Sequence, residues 1–311
     1  MSSDEHHMIS AVFAAIILMI IAVPMAAAAP DADIAIYLQQ NAPGSGCRPS
    51  GDIVRLNGLS EASGVAASRR MPGVLWAHND SGEPLIFALN EQGAVTGRVW
   101  VTGAKVEDWE DIAVGPCPQG SCIYIADVGD NSGNRDHVMV YRVPEPSPQD
   151  SSTAPTEAFR ARYVDGAHDA EALFVTPKSE VFIITKGDPG PIALYRFPRV
   201  LRSNVIMQLE QIGDPAAAAK VTSQERPTAA DISQDAQWVA VRTTRSVVFY
   251  RTADLISGRW LEAFRTDVSG LREPRGEGIA FGAGGTLFLV GEGGAFSAAG
   301  TLARLECTMN R

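Results

Sequence analysis

Short apolar stretches recur along the chain at a nearly constant interval: Leu85-Ile86-Phe87-Ala88-Leu89, Val138-Met139-Val140-Tyr141-Arg142-Val143, Ile192-Ala193-Leu194-Tyr195-Arg196-Phe197, Val247-Val248-Phe249-Tyr250-Arg251 and Leu302-Ala303-Arg304-Leu305. With Phe87, Tyr141, Tyr195, Tyr250 and Ala303 taken as equivalent, the steps are 54, 54, 55 and 53 residues. Each stretch follows the same two elements. The first opens on a small or acidic residue and turns apolar, as in Glu110-Asp111-Ile112-Ala113, Glu171-Ala172-Leu173-Phe174 and Glu277-Gly278-Ile279-Ala280. The second is an apolar run that exits into polar residues, as in Val181-Phe182-Ile183-Ile184-Thr185-Lys186. A more polar stretch closes each copy, for example Val205-Ile206-Met207-Gln208-Leu209 or Trp260-Leu261-Glu262-Ala263-Phe264. Four short strands in a unit of about fifty residues, without helical periodicity, predict the blade of a β-propeller.

The repeat also predicts how the ring closes. Counting from Ser63, the fifth unit reaches the C-terminus with three strands, while Ile53-Val54-Arg55-Leu56 precedes the first unit without a blade of its own. The expected fold is therefore all-β, a five-bladed β-propeller of four-stranded antiparallel blades whose last blade is completed by the N-terminal strand. Of the four cysteines, which allow three pairings, Cys117 and Cys122 flank a turn sequence, leaving Cys47 for Cys307 at the predicted seam; a metal site is the alternative, against which stand the absence of paired CxxC motifs and of a neighbouring His.

Composition adds boundaries and a compartment. The stretch from Met8 to Ala29 carries no charge and ends in small residues before Pro30, which reads as a signal peptide over residues 1–28; an uncleaved anchor is the alternative, since no Lys or Arg precedes the apolar core. A flexible lead over 29–46 and one propeller domain over 47–311 follow. Export to the periplasm or the medium suits the expected disulfides. The net charge of −10 argues against nucleic acid and favours a cation, or a ligand delivered with one. A monomer without a membrane span in its mature form, acting on a small anionic substrate or a glycan, is the expectation.

Antiparallel pairing sets the start of each innermost strand beside the end of the second, so candidate chemistry collects on one face of the ring. Pseudosymmetry aims Glu110, Glu171 and Glu277 at the channel axis, where like carboxylates repel unless a cation or protons join them. An oxygen-only environment suits Ca²⁺. Asp127-Val128-Gly129-Asp130-Asn131 is a second possible cation loop, with Asp127 and Asp130 as ligands. The plainer alternative is that these acids hold backbone amides. Lys186, Arg242 and Arg275 put basic groups on the same face, suited to an anion or to ordinary ion pairs, and Asn79 and Trp109 are further ligand contacts. His78 and His168 are candidates for a general acid or base beside the three glutamates. No GxSxG, P-loop or HExxH motif occurs.

The segments His168-Asp169-Ala170-Glu171-Ala172-Leu173 and Arg275-Gly276-Glu277-Gly278-Ile279, each followed by an apolar strand ending in Thr185-Lys186 or Gly291-Glu292, resemble the phytase-like group of secreted bacterial propellers. The resemblance implies that calcium and a phosphate share the channel mouth, with Asp169, Glu171 and Glu277 as metal ligands and Lys186 on the anion. It implies calcium-dependent hydrolysis of a phosphoester or related ester. A non-catalytic binding propeller and a glycosidase with paired carboxylates are the alternatives.

Overall fold

In the computed structural model the described residues are 44–188, 190–214, 222–294 and 299–310. The expected signal peptide and most of the lead lie outside them. The chain enters through β1 (Gly46–Pro49) and β2 (Val54–Asn57), then lays down the first blade as β3 (Ala62–Ala67), β4 (Val74–Asn79), β5 (Leu85–Asn90) and β6 (Val95–Trp100). The second blade is β7 (Trp109–Cys117), β8 (Gly120–Asp127), β9 (Val138–Pro144) and β10 (Glu157–Arg162). Blade three runs β11 (Ala170–Val175), β12 (Val181–Thr185), β13 (Leu194–Arg196) and β15 (Glu210–Ile212), with β14 (Ile206–Gln208) lying between the last two in sequence but outside this blade. Blade four is β16 (Pro227–Ile232), β17 (Trp238–Thr243), β18 (Ser246–Arg251) and β19 (Glu262–Asp267), and blade five is β20 (Arg275–Phe281), β21 (Thr286–Glu292) and β22 (Ala299–Thr308). This is a five-bladed β-propeller.

The seam closes as the repeat requires. β2 pairs antiparallel with β22 from Val54 opposite Leu302 to Asn57 opposite Ala299, and β1 extends the same edge with Cys47 opposite Cys307. The Cys47–Cys307 disulfide clamps that pairing, and Cys117–Cys122 clips the β7–β8 hairpin. No free cysteine remains. Two disulfides mark a fold made for an oxidising, extracytoplasmic compartment. Among the described residues, no helix is long and apolar enough to cross a membrane.

One strand departs from the expected order. Ile206–Gln208 does form a strand, but it runs parallel to β10 and adds a fifth strand to blade two, while β15 pairs with β13 as the outer strand of blade three. Residues 206–208 alternate exposed, buried, exposed, with Met207 turned inward against the blade two and three core. The added strand covers the blade-two edge that would otherwise present unpaired backbone groups.

The apolar side chains do not gather in one central core. They form five clusters, each sandwiched between neighbouring blades, such as Tyr124, Phe159, Leu173 and Tyr195 between blades two and three and Phe174, Phe182, Val239 and Leu255 between three and four. Inner strands therefore read as continuous buried runs and outer strands as partly exposed ones. At the channel the inner strands approach closely. A Cβ on Gly278 would lie 2.6 Å from the Ser63 carbonyl of the next blade, so only glycine fits there without a shift of the backbone.

Candidate functional site

Every inner strand carries a register shift at its first residues, at Ala62/Val65, Trp109/Asp111, Ala170/Ala172, Pro227/Ala229 and Gly276/Ile279. A β-bulge re-aims side chains, and the five repeats set Ser63, Glu110, Glu171, Thr228 and Glu277 at equivalent places. Ser63 and Thr228 use their hydroxyls to hold the ring, donating to the Glu110 and Glu277 carbonyls of the following blades at 2.6 and 2.8 Å. The three glutamates keep their carboxylates for the channel mouth.

Glu110, Asp169 and Glu171 converge. One oxygen from each lies within 4.8 Å of the others, and all three residues are buried. Asp169 accepts the Asp130 amide at 2.8 Å and faces the Lys186 ammonium at 3.3 Å, and Lys186 also pairs with Glu171. Glu110, only 7 % exposed, has no hydrogen-bond or ion-pair partner for its carboxylate among the described residues. The Gly129 backbone closes over it, and a Cβ there would collide with the carboxylates of Glu110 and Asp108. Burial, then Glu171, Asp108 and Asp169, push the Glu110 pKa well up against the pull of Lys186. Glu171 rises to about 6, because burial outweighs its ammonium partner. Burial works against the charge on Lys186, but Glu171, Asp169 and Glu110 overcome it and hold the ammonium protonated.

Glu277 stands on the opposite side of the mouth. Its Oε1 lies 2.7 Å from Nε of Arg275, whose Nη1 reaches Glu292 at 3.3 Å. Burial raises Glu277 to about 8, opposed by Arg275 and reinforced by Glu171 and Glu292.

The other candidates each have partners in the structure. Asp127 accepts the amides of Glu107 and Asp108 and pairs with Arg135 at 2.9 Å, while Asp130 accepts the amides of Asn134 and Arg135 at 3.0 and 2.8 Å. That loop wraps Arg135 and its own backbone. Arg242 is fully buried, donates to the Gly278 and Val290 carbonyls at 2.7 Å each, and pairs with Glu273. Trp109 is also fully buried, with its indole N–H on the Lys105 carbonyl at 2.9 Å and its ring edge-on to His78, so it offers no face to a ligand. Asn79 accepts the Glu61 amide at 3.2 Å. His78 is buried with Nδ1 2.9 Å from the Asn79 carbonyl, and burial lowers its pKa to about 4. His168 sits among Tyr163, Tyr195 and Asp165, its Nε2 3.0 Å from the Asp165 carboxylate.

Residues to which the sequence pattern gave no role complete the picture. Asp111 reaches across the channel, where its carboxylate accepts the amides of Leu173 at 2.8 Å and Ala230 at 3.0 Å, tying blades two, three and four together. The equivalent residues Gly64, Ala172, Ala229 and Gly278 are all small, and that contrast is the one signal in the repeat that could have marked Asp111. Arg135 and Glu273, the partners of Asp127 and Arg242, come from loops and carry no such signal.

Comparison with known proteins agrees with the architecture. The PQQ-bound aldose sugar dehydrogenase of Streptomyces coelicolor superposes with a TM-score of 0.50 at 12 % identity, covering 86 % of this chain and 100 % of that one. The soluble aldose sugar dehydrogenase of Escherichia coli in its apo form gives a TM-score of 0.47 at 11 % identity, covering 82 % and 99 %. A gluconolactonase of Xanthomonas campestris gives 0.46 at 12 % identity, covering 86 % and 97 %. At such identities the likeness shows the propeller fold alone. No family model matches the chain, and no curated protein matches it.

Proposed function

We propose that the channel mouth binds a divalent cation, Ca²⁺ by its all-oxygen donor set, and hydrolyses a small anionic ester there in an extracytoplasmic setting. The observation that carries this reading is Glu110, a buried carboxylate with no hydrogen-bond or ion-pair partner among the described residues, clustered with Asp169 and Glu171, whose one ammonium, Lys186, is paired with the other two acids. A buried charge in that position is costly unless something positive joins it. Glu110, Asp169 and Glu171 would hold the ion, which when bound polarises an ester oxygen and acidifies water. Arg275, half-exposed at the mouth, neutralises the anionic group of the substrate. Glu277 keeps a proton near neutral pH because burial raises its pKa to about 8, and it can pass that proton to a leaving oxygen. The resemblance to phytase-like propellers supports a phosphoester as the first substrate class to try.

The test joins binding to turnover. Calorimetric titration with Ca²⁺ is expected to show one saturable site in the wild type and none in Glu171→Gln. Hydrolysis of para-nitrophenyl phosphate or para-nitrophenyl acetate is expected to require Ca²⁺ and to stop in EDTA. Equal hydrolysis in EDTA, or no Ca²⁺ binding, overturns the reading. Saturable Ca²⁺ binding with no turnover of either ester reassigns the mouth to ligand binding.

A further inference from the structure

Lys186 stands where a cation would stand. Its ammonium pairs with Glu171 and lies 3.3 Å from Asp169 and 3.4 Å from the Asn131 amide oxygen. An ion touching carboxylate oxygens at about 2.3–2.6 Å overlaps the volume that this ammonium fills. The two cannot occupy the cluster together.

The surroundings let the ammonium leave. Its partners Asp169, Glu171 and Asn131 are all side chains, whereas Arg242 is pinned by two backbone carbonyls. The Lys186 backbone is fixed separately, its amide donating to the Asp169 carbonyl at 2.8 Å, so the head can swing while the chain stays in place. The side chain is 16 % exposed, which places it at the solvent side of the cluster. A lysine head is a compact charge on a flexible stem.

We propose that Lys186 is a tethered competitor for the cation: a divalent ion enters only as the ammonium leaves, and the displaced ammonium then pairs with the anionic group of the ligand, so that cation and anion bind with positive coupling. This rests on the cation site proposed above. An ammonium that occupies the cluster nine-tenths of the time weakens the apparent cation affinity about ten-fold. An anion that draws it off restores that affinity, and by linkage the cation strengthens anion binding by the same factor.

Calorimetric titration of the full chain with Ca²⁺, in chloride and in sulfate at matched ionic strength, tests this without any turnover assay. Lys186→Met is expected to bind Ca²⁺ about ten-fold more tightly than the wild type. Sulfate is expected to tighten Ca²⁺ binding about three-fold in the wild type and not at all in the variant. Lys186→Gln, which keeps polar contacts but no charge, must behave like Lys186→Met and serves alone if the methionine variant does not fold. Absence of Ca²⁺ binding in the wild type and both variants defeats the cation site itself. Ca²⁺ binding in the wild type that is unchanged or weaker in both variants, or a sulfate effect that persists without the lysine, overturns the competitor role and leaves the cation site standing.

Discussion

Two charged clusters face each other across one channel, and they balance differently. On the side of blades four and five each carboxylate has its cation: Arg242 takes Glu273, and Arg275 spans Glu277 and Glu292. Between blades two and three, a single ammonium serves Asp169 and Glu171, and Glu110 has no hydrogen-bond or ion-pair partner among the described residues. The first arrangement is finished in the sense that every acid has a guanidinium beside it. The second has carboxylates in excess inside a buried cradle, which supports the cation site proposed above. Carboxylate count alone would not separate the two sides; pairing does.

The largest effect is expected on the finished side. Arg242→Met removes a fully buried guanidinium, strips two carbonyls of their donor, and leaves the Glu273 carboxylate buried alone. Breaking one partner of a buried pair costs about 3–5 kcal/mol. Urea denaturation should show a loss of that size, with no recovery in Ca²⁺. A loss below about 1 kcal/mol would mean that Glu273 finds another partner or water, and the balanced side would no longer differ from the open one.

Much of this contrast could not be read from the chain. The blade count, the seam and the three equivalent glutamates follow from a repeat near 54 residues, because each blade must bury the same faces. Pairing is a different matter. Arg242 and Lys186 look alike as strand-end cations, and what separates them is Glu273, 31 positions from Arg242 in a loop that has no counterpart in the repeat. Asp127 and Asp130 read as a cation loop until Arg135 and the local amides take their oxygens. The segment Ile206–Gln208 has the alternation of a strand and forms one, yet nothing in its residues says which blade it joins. Local pattern fixes which residues are strands, and contacts distant in sequence fix their partners.

A second expected effect is a dependence on pH that reports the mouth. Burial raises the Glu277 pKa to about 8 from an ordinary 4.5, so between those values the folded chain holds a proton that the unfolded chain has released. Folding stability contributed by this group is therefore complete below pH 4.5 and is lost as pH rises toward 8. The loss should be on the order of 3 kcal/mol over that range. Glu277→Gln should flatten the slope in thermal melts between these pH values. A slope unchanged by the substitution would assign the proton elsewhere. His78 acts in the opposite sense: its pKa falls to about 4, so it costs stability as pH drops from 6.5. A maximum between the two limbs is expected, and only the alkaline limb should respond to Glu277→Gln.

The smallest effect decides most about the open side. Glu110→Gln keeps the size of the side chain and removes only its charge. Burial and three acidic neighbours hold the Glu110 pKa well up, so toward acid pH, where its carboxyl holds a proton, the two proteins should melt together. As pH rises and the carboxylate ionises, the wild type loses stability that the glutamine variant keeps, a gap of about 1–2 kcal/mol for a buried charge with partial access to water. Added Ca²⁺ should close the gap by stabilising the wild type alone, since the variant lacks one of its three ligands. A glutamine variant less stable than the wild type at every pH would show that Glu110 is held by a cationic partner after all, and the distinction between a finished and an open cluster would fall.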